Sequence, residues 1–312
     1  MTLARAIELA RNARGQAYPK PTVGAVLVAD GEVAAEGVTE PNGRHAERVA
    51  IDAARERARG ATLYVTLEPC SHHGTTPPCT EAILESGVER VVFGAVDPNP
   101  EAAGGAAVLR DRGVDVEFVD SFEARALNEA WRTWVAKRRP FVIYKAALTL
   151  DGRTTVPGRR WVSGEESRRL VHELRAQVDA VAVGGGTARA DLPRLDARDV
   201  ETPKGQPRRL VFSRGRLPDG LDLEVRSGPL EDELRALADE GVQSLLLEGG
   251  ATIASSFLEA DLVDKLVLFV APTLAGAGPG LVAALPSPRT LSRLRAAAVG
   301  EDVLLEAYVH EP

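Results

Sequence analysis

The sequence predicts an α/β protein built from two domains. Short apolar runs typical of buried strands alternate with segments of helical spacing along the whole chain. A length of 312 residues exceeds that of one ordinary domain and suits two. A basic stretch ending at Pro140 interrupts the alternation near the middle, and an apolar strand follows at once. We therefore predict one α/β domain over residues 1–139 and a second over residues 140–312.

In the first half, an amphipathic N-terminal helix precedes alternating strands and helices. The predicted strands are VGAVLVAD (23–30), EVAAEGV (32–38), ATLYVTL (61–67) and VERVVFGAV (88–96). A helix from His45 to Arg59 carries small apolar residues on one face, and a short helix runs from Cys79 to Ser86 before Gly87. Strands separated by helices in this way predict a three-layer α/β/α sandwich.

The second half repeats this alternation, starting with the strand FVIYKAALTL. Ser163 and Glu166 have the spacing of a capping box, which predicts a helix from there to about Gln177. Further strands are predicted at 180–184, 210–212, 244–249, 265–272 and 303–309, with helices near 230–240 and 252–259. The Gly- and Pro-rich run 276–288 is predicted to be a loop.

Composition and charge exclude several classes of protein. Apolar residues make up 44% of the chain and charged residues 27%, as in ordinary globular proteins. The net charge is −7, shared between the two halves, so neither half has the basic excess of a nucleic-acid-binding domain. The N-terminal helix contains charged residues and so lacks the uncharged core of a signal peptide. No apolar run reaches the roughly 18 residues of a membrane span. We expect a cytoplasmic protein without nucleic-acid or membrane partners.

The two cysteines of the chain are candidate metal ligands. Cys70 and Cys79 cannot form a disulfide framework, and their separation is too long for a redox C-x-x-C pair. His45 begins a predicted helix, Cys70 follows a strand, and Cys79 begins a second helix. One His and two Cys form a three-ligand zinc set that leaves the fourth tetrahedral position to water. Glu47, in the first turn after His45, is then a candidate general base and acid.

Structural alternatives exist for these residues. Free cysteines are often small core residues, and a His-Ala-Glu sequence can be an ordinary exposed helix start. His72 and His73 are rival ligands, since they lie between the two cysteines. We predict that His72 faces the substrate and that His73 lies on the surface.

The second half has no G-x-G-x-x-G motif, because Arg189 occupies the place of the last glycine. Two glycine-bearing turns follow apolar strands instead, in AVAVGGGT and SLLLEGGAT. Their backbone N–H groups can approach a pyrophosphate, although both are also compatible with plain strand-to-helix turns. Charged residues near strand ends and in the adjoining loops, each of which could also be a solvated surface charge, are Lys145, Asp151, Arg175, Asp191, Arg198 and Glu248.

These motifs resemble a known family. The H-A-E motif with P-C and a second Cys is similar to zinc-dependent nucleoside and base deaminases. Eight residues separate the cysteines here, in TLEPCSHHGTTPPC, and DPNP (97–100) follows. That pattern resembles the bifunctional riboflavin-biosynthesis deaminase–reductases. The second half also matches through Lys145, TLDGR, Trp161, Arg175, GT-x-x-AD, Arg198 and EGG.

The resemblance implies a fold, a function and cofactors. It implies a cytidine-deaminase-like first domain and a dihydrofolate-reductase-like second domain. The first would bind one Zn²⁺ and deaminate a diaminopyrimidinone ribosylamine 5′-phosphate. The second would use NADPH to reduce the ribosyl group to ribityl. We expect a homo-oligomer whose partner is this small-molecule substrate.

The resemblance also implies roles for residues of this chain. Asn99 of DPNP would contact the substrate in the first domain. In the second domain, Asp191 would lie nearest the chemistry, and Trp161 would belong either to the site or to the core. The implied substrate-binding residues are Lys145, Trp161, Arg175 and Arg198. The implied cofactor-binding residues are Thr187, Glu248, Gly249, Gly250 and Thr252.

Four positions depart from the family pattern, the first being Lys20 in place of the Asn of a Pro-Asn-Pro sequence. Thr75 stands in place of a basic residue, Gly105 in place of an Arg, and Leu192 in place of the second Asp of A-D-D-P. Two alternatives therefore remain open. One is a zinc-dependent deaminase of another nucleobase or nucleoside, with a non-catalytic or divergent C-terminal domain. The other is a degenerate nucleotide-binding or scaffolding module.

Overall fold

The computed structural model describes residues 2–73 and 77–312. The chain forms two compact units, the first ending at Lys137 and the second spanning Arg138–Glu311. Each unit is built on one β-sheet with helices packed against it. The predicted α/β class is therefore confirmed for both halves.

Unit 1 is built on a mixed sheet of five strands in its described residues. Its helices are α1 (Thr2–Asn12), α2 (Ala46–Ala54), α3 (Cys79–Ser86), α4 (Gly105–Asp111), α5 (Phe122–Leu127) and α6 (Glu129–Lys137). Its strands are β1 (Gly24–Ala29), β2 (Glu32–Val38), β3 (Thr62–Val65), β4 (Arg90–Phe93) and β5 (Asp115–Phe118). Their order in the sheet is β2-β1-β3-β4-β5, with β3, β4 and β5 parallel to one another.

The β1–β2 hairpin follows from its turn residues. Asp30 and Gly31 both have positive φ, 52° and 79°, as a two-residue hairpin turn requires. Two glycines then allow helices to approach opposite faces of the hairpin. A Cβ at Gly24 would lie 2.0 Å from the carbonyl oxygen of Ala6 in α1, and one at Gly37 would lie 2.3 Å from that of Ala46 in α2. Unit 1 is therefore a three-layer sandwich, as predicted.

Unit 2 contains a larger mixed sheet. Its strands are β6 (Phe141–Thr149), β7 (Ala180–Gly184), β8 (Arg208–Phe212), β9 (Glu224–Arg226), β10 (Ser244–Leu247), β11 (Lys265–Ala271), β12 (Ser292–Val299) and β13 (Asp302–Tyr308). Its helices are α7 (Glu165–Gln177), α8 (Gly185–Asp191), α9 (Leu230–Asp239) and α10 (Ala251–Glu259). The strand order in the described residues is β12-β13-β11-β6-β10-β7-β8-β9. The six strands from β11 to β9 are parallel, and β13 and β12 join antiparallel at one edge.

The predicted capping box before α7 is wrong. Gly164, and not Ser163, is the N-cap residue, and glycine has no side chain that could accept a hydrogen bond. The Asp302 carboxylate takes this role instead, accepting the Gly164 N–H at 2.8 Å and the Ser167 hydroxyl at 2.5 Å. A distant carboxylate thus replaces the local Ser–Glu exchange that the spacing predicted.

Other boundaries also differ from the prediction. The helix predicted from His45 to Arg59 ends at Ala54, because Arg55 adopts a positive φ of 53° and starts a short 3₁₀ turn. The sequence analysis missed β5, β9 and β12, and it missed α4, α5 and α8. Of these, β9 has three residues and β12 is exposed along most of its length, so neither shows the alternation expected of a half-buried strand.

A buried ion pair fixes the start of β6. The Asp264 carboxylate, 1% exposed, accepts two hydrogen bonds from the Arg139 guanidinium at 2.6 and 2.7 Å. It also accepts the Val142 N–H at 2.9 Å. Removing one charge of such a pair leaves the other buried without compensation.

We expect Asp264→Asn to destabilise the protein by about 3–5 kcal/mol, since it leaves the Arg139 charge unpaired in the interior. Urea unfolding followed by circular dichroism measures this change. The matched control is Asp239→Asn, which removes an exposed ion pair with Arg138 and should cost less than about 1 kcal/mol. Equal losses in the two variants would contradict the prediction.

Candidate active sites

The three predicted metal ligands of unit 1 come from three separate segments. His45 is the N-cap residue of α2, Cys79 is the first residue of α3, and Cys70 lies in the loop that follows β3. His45 has an extended backbone, with φ −76° and ψ 149°, so Glu47 lies in the first turn of α2. The two helix starts and the strand end bring the three side chains together.

The ligand atoms of these residues lie within 4.8 Å of one another. His45 Nδ1 lies 3.2 Å from Cys79 Sγ and 3.5 Å from Cys70 Sγ. Both cysteines are buried, and the Cys79 N–H donates to Cys70 Sγ at 3.3 Å. Two thiolates and one imidazole are the donor set that tetrahedral Zn²⁺ prefers, so the residues fit this ion.

Hydrogen bonding within the cluster favours a thiolate on Cys70. The Cys79 thiol donates to Cys70 and thereby lowers the pKa of Cys70, and hydrogen bonds from His45 and from the Cys79 N–H act in the same direction. The same interaction, together with burial, raises the pKa of the Cys79 thiol. The hydrogen bond to Cys70 also raises the pKa of His45. Cys70 is therefore the sulfur that these hydrogen bonds dispose toward the thiolate form that binds metal.

Glu47 is a buried carboxyl next to this cluster. Glu47 is only 4% exposed. Burial raises the pKa of Glu47 to about 7, although the His45 charge opposes the shift. A carboxyl with such a pKa can both accept and donate a proton near neutral pH.

The two histidines between the cysteines differ in their surroundings. His72 is half-buried, and its Nδ1 atom is buried without a hydrogen-bond partner among the described residues. His73 is exposed, and its Nε2 lies 3.1 Å from the Glu81 carboxylate. His73 therefore lies on the surface, as predicted, whereas the substrate-facing role of His72 stays a prediction. Thr75 lies outside the described residues.

Asn99 lies in a loop that contacts the cysteine cluster. Its Oδ1 accepts the Glu101 N–H at 3.2 Å, and its own N–H donates to Asp97 Oδ1 at 2.8 Å. Three residues later, the Ala102 carbonyl accepts the Ser71 N–H at 3.2 Å, and Ala102 packs with Cys70 and Cys79. The loop is thus attached directly to the residue after Cys70.

Gly105 lies against the backbone of the residue before Cys70. A Cβ at this position would lie 1.8 Å from the carbonyl oxygen of Pro69, a contact that no side chain tolerates. The departure of Gly105 from the family pattern stays a prediction. The sequence analysis could not find this close approach, because it joins positions 36 residues apart.

Unit 2 contains a large cavity at the C-terminal ends of its parallel strands. The cavity has a volume of about 1320 Å³. Asp151 does not line it, since its carboxylate accepts the Ala275 and Gly276 N–H groups. The other residues predicted for the second domain all line it: Lys145, Trp161, Arg175, Thr187, Asp191, Arg198, Glu248, Gly249, Gly250 and Thr252. A cavity of this size exceeds the usual range for one small ligand and suits a dinucleotide together with a second molecule.

Three charged side chains form a network in the wall of this cavity. The Glu248 carboxylate accepts two hydrogen bonds from Arg175, at 2.6 and 3.0 Å, and lies 3.5 Å from Lys145 Nζ. The three side chains are only 9–15% exposed. Burial alone would raise the pKa of Glu248, but Lys145 and Arg175 outweigh it and hold this pKa below its ordinary value. Glu248 therefore contacts the predicted substrate-binding residues, although it was predicted to bind cofactor.

The two glycine turns lie side by side. They follow β7 and β10, which are adjacent and parallel, and lead into α8 and α10. The Gly250 N–H donates to Thr187 Oγ1 at 3.3 Å, joining the two turns. A Cβ at Gly186 would meet nothing within 4 Å, so this backbone borders open space. Exposed backbone without side chains fits the close approach of a dinucleotide such as NADPH.

Trp161 and Asp191 are exposed residues of the cavity lining. Trp161 is 54% exposed, and the Arg160 and Arg168 guanidinium groups lie 5.0 and 5.7 Å from its ring. Assignment of Trp161 to the core is therefore wrong. Asp191 is exposed at the end of α8, next to Leu192, whose positive φ of 45° ends that helix.

His172, which was not predicted as a site residue, also lines the cavity. Its Nδ1 lies 3.2 Å from both the Asp196 carbonyl oxygen and the Arg198 backbone nitrogen. Burial, followed by the charges of Arg175 and Arg198, lowers the pKa of His172. Its position one helical turn before Arg175 was the available signal.

The two halves of the chain match two different protein families. Residues 1–95 match the cytidine and deoxycytidylate deaminase zinc-binding region, and residues 140–305 match the RibD C-terminal domain. The riboflavin biosynthesis protein RibD of Aquifex aeolicus is 38% identical over 309 residues, covering 88% of this chain and 86% of that protein. The chain belongs to the RibD family.

Solved RibD structures have the same architecture. Form 1 of Acinetobacter baumannii RibD matches with a TM-score of 0.83 and 32% identity, covering 98% of this chain and 97% of that chain. The diaminohydroxyphosphoribosylaminopyrimidine deaminase/5-amino-6-(5-phosphoribosylamino)uracil reductase of Thermotoga maritima matches with a TM-score of 0.82 and 35% identity, over the same fractions.

Membership in the RibD family establishes the function at the level of the family. The chain is a bifunctional enzyme of riboflavin biosynthesis, with a zinc-dependent deaminase domain, an NADPH-dependent reductase domain and a small-molecule pyrimidine substrate. This favours the main interpretation over a deaminase of another base and over a degenerate binding module. No helix within residues 2–73 and 77–312 has the length and apolar character to cross a membrane.

We expect Cys70→Ser to reduce bound zinc from one ion per chain to less than about one tenth, because it removes one of three protein ligands. Metal analysis of purified protein measures the content. His73→Ala is the matched control, since His73 is exposed and paired with Glu81, and it should retain one zinc per chain. Zinc loss in the control with retention in the Cys70 variant would identify His73 as the ligand instead.

Proposed function

We propose that the enzyme first removes the 2-amino group of 2,5-diamino-6-ribosylamino-4(3H)-pyrimidinone 5′-phosphate as ammonia and then reduces the ribosyl group to ribityl. The observation that carries this proposal is the presence of two complementary sites in one chain. One is the buried His45, Cys70 and Cys79 cluster beside Glu47, and the other is the glycine-bordered cavity with cationic walls.

In the deaminase, we assign the three cluster residues as zinc ligands and Glu47 as the catalytic acid and base. When bound, zinc lowers the pKa of water toward about 7 and so supplies a nucleophile near neutrality. The Glu47 carboxylate accepts a proton from the attacking water and donates it to the departing amino group. Burial supports this role, since it gives Glu47 a pKa of about 7. His72 and Asn99 are assigned to hold the pyrimidine.

In the reductase, we assign the glycine turns to the cofactor and the charged network to the substrate. When bound, NADPH supplies the hydride. The turns at Gly249 and Gly250, together with Thr187 and Thr252, border the cofactor. Positive charge at Lys145, Arg175 and Arg198 suits a sugar phosphate. Trp161 covers the cavity opening and Asp191 contacts the sugar, while Glu248 orients Lys145 and Arg175 and is no longer assigned to the cofactor.

We further propose that residues 1–139 carry the deaminase and residues 140–312 the reductase. A homo-oligomer is supported by exposed apolar residues at the β12–β13 edge, where Leu294 and Val303 are 69% and 42% exposed. A net charge of −7 supports small-molecule rather than nucleic-acid partners. The dependence on NADPH and on free thiols supports a cytoplasmic location.

Incubation of the zinc-loaded protein with the diaminopyrimidine phosphate tests the proposal directly. Ammonia release and NADPH oxidation are followed separately. We expect one ammonia and one NADPH per substrate, with ammonia released first. Ammonia release without NADPH oxidation would refute the reductase assignment, and absence of both would refute the proposed substrate.

We expect Glu47→Gln to lower the deaminase kcat by about 10²- to 10⁴-fold, because an amide cannot transfer the proton. Zinc content and NADPH oxidation with the deaminated intermediate should stay at wild-type values. Ammonia assay, metal analysis and NADPH absorbance provide the three measurements. Retained ammonia release would refute the role of Glu47.

We expect Arg175→Lys to lower the reductase kcat/KM by about tenfold to a hundredfold, since lysine cannot form the bidentate hydrogen bond to Glu248. Deaminase activity should be unchanged. The control is Arg235→Lys, which changes an exposed Arg on α9 and should leave both activities at wild-type values. Equal reductase rates in the two variants would contradict the prediction.

A further inference from the structure

The proposed reaction gives no role to Glu68, the buried acidic residue of the TLEPC segment. Glu68 follows β3 and lies two residues before Cys70. It is 6% exposed, and its own N–H donates to the Ala95 carbonyl oxygen at 2.8 Å. A buried carboxylate is costly unless hydrogen bonds or charges compensate it.

Backbone amides provide this compensation. One carboxylate oxygen of Glu68, Oε1, accepts the N–H groups of Gly104 at 3.2 Å and Ala106 at 3.1 Å. The other, Oε2, accepts the Asp97 N–H at 3.4 Å. Among the described residues, the hydrogen-bond donors to Glu68 are backbone N–H groups and not Lys or Arg side chains. The carboxylate therefore acts by bonding both ends of one backbone segment, 97–106.

This segment forms one wall of the cysteine cluster. Ser71, the residue after Cys70, donates its N–H to the Ala102 carbonyl at 3.2 Å and its hydroxyl to the Ala103 carbonyl at 3.0 Å. On the other side of Cys70, the Pro69 carbonyl lies so close to Gly105 that a Cβ there would be 1.8 Å away. Residues 69 and 71 are thus both held against the segment whose ends Glu68 fixes.

From this geometry we infer that Glu68 is a positioning residue, which sets the place of Cys70 relative to His45, Cys79 and the Asn99 loop. The inference rests on the proposed zinc site formed by these ligands. Glu68 touches neither metal nor substrate in this role. Its action passes through the backbone of Pro69, Cys70 and Ser71, in the manner of the outer hydrogen bonds that orient metal ligands.

Replacement of Glu68 by Ala and replacement by Gln remove different numbers of hydrogen bonds. Glu68→Ala removes both carboxylate oxygens and with them all three hydrogen bonds. Glu68→Gln keeps one oxygen, which can still accept the Gly104 and Ala106 N–H groups, but places an NH₂ group opposite the Asp97 N–H. A positioning role therefore predicts a graded response, with Gln between wild type and Ala.

The test uses the full-length protein at a temperature where circular dichroism shows each variant folded. Zinc affinity is measured by competition with a chelator. The visible absorption of the Co²⁺-substituted protein reports the geometry of the thiolate ligands. Glu85→Ala, an exposed change on α3, is the matched control. NADPH oxidation by the reductase domain is an internal control for the integrity of the rest of the chain.

We expect Glu68→Ala to weaken zinc binding by about 10- to 100-fold and to alter the Co²⁺ spectrum, with smaller effects for Glu68→Gln. Glu85→Ala should match wild type. Wild-type zinc affinity and Co²⁺ spectra in the Glu68 variants would overturn the inference, even if their melting temperatures fell. If Glu68→Ala does not fold, the test depends on Glu68→Gln. Wild-type zinc affinity and a wild-type Co²⁺ spectrum in that variant overturn the inference. Failure of the wild-type protein to bind zinc would instead refute the proposed zinc site.

Discussion

Parallel strand pairing is the constraint on which both sites depend. The pairing of β7 with β10 aligns their carboxyl ends, so the turns that follow them meet at one edge of the sheet. Lys145 of β6, the neighbour of β10, reaches the same edge and contacts Glu248. In unit 1, β3 and β4 are also parallel, and the loops after them carry Cys70 and Asn99. The order and direction of the strands thus bring together candidate site residues that are far apart in sequence.

Much of this arrangement could be predicted from the sequence because its signals are local. The strand at 180–184 and the helix from Cys79 to Ser86 have the predicted bounds, since a continuous apolar run and a Pro-to-Gly interval mark them unambiguously. The His45, Cys70 and Cys79 cluster could be predicted from residue type together with position, because one His and two Cys at the ends of predicted elements suit a catalytic zinc ion. The cavity residues required the family resemblance as well, since single charged residues carry little information.

The features that could not be predicted depend on contacts between distant segments. Asp302 accepts the Gly164 N–H at the start of α7 from 138 residues away, in place of the predicted Ser163–Glu166 capping box. Gly105 is required by Pro69 and not by its own turn, and Glu68 bonds amides that only the folded loop brings together. No pattern of hydrophobicity or spacing encodes such contacts. The exposed strand β12 was missed for the opposite reason, since its position at the sheet edge imposes no alternation.

The network of Lys145, Arg175 and Glu248 also has a consequence for how the protein meets its ligands. The protein as a whole is anionic, with a net charge of −7, and should repel a phosphorylated sugar and a dinucleotide at long range. The cavity lining, however, carries six Lys and Arg residues against five Asp and Glu residues, which leaves one positive charge in excess. Field lines from this charge are concentrated by the surrounding low-dielectric walls. The cavity therefore attracts anions at short range, although the protein as a whole repels them at long range. Binding of the substrate depends on this short-range attraction more than on long-range electrostatic steering.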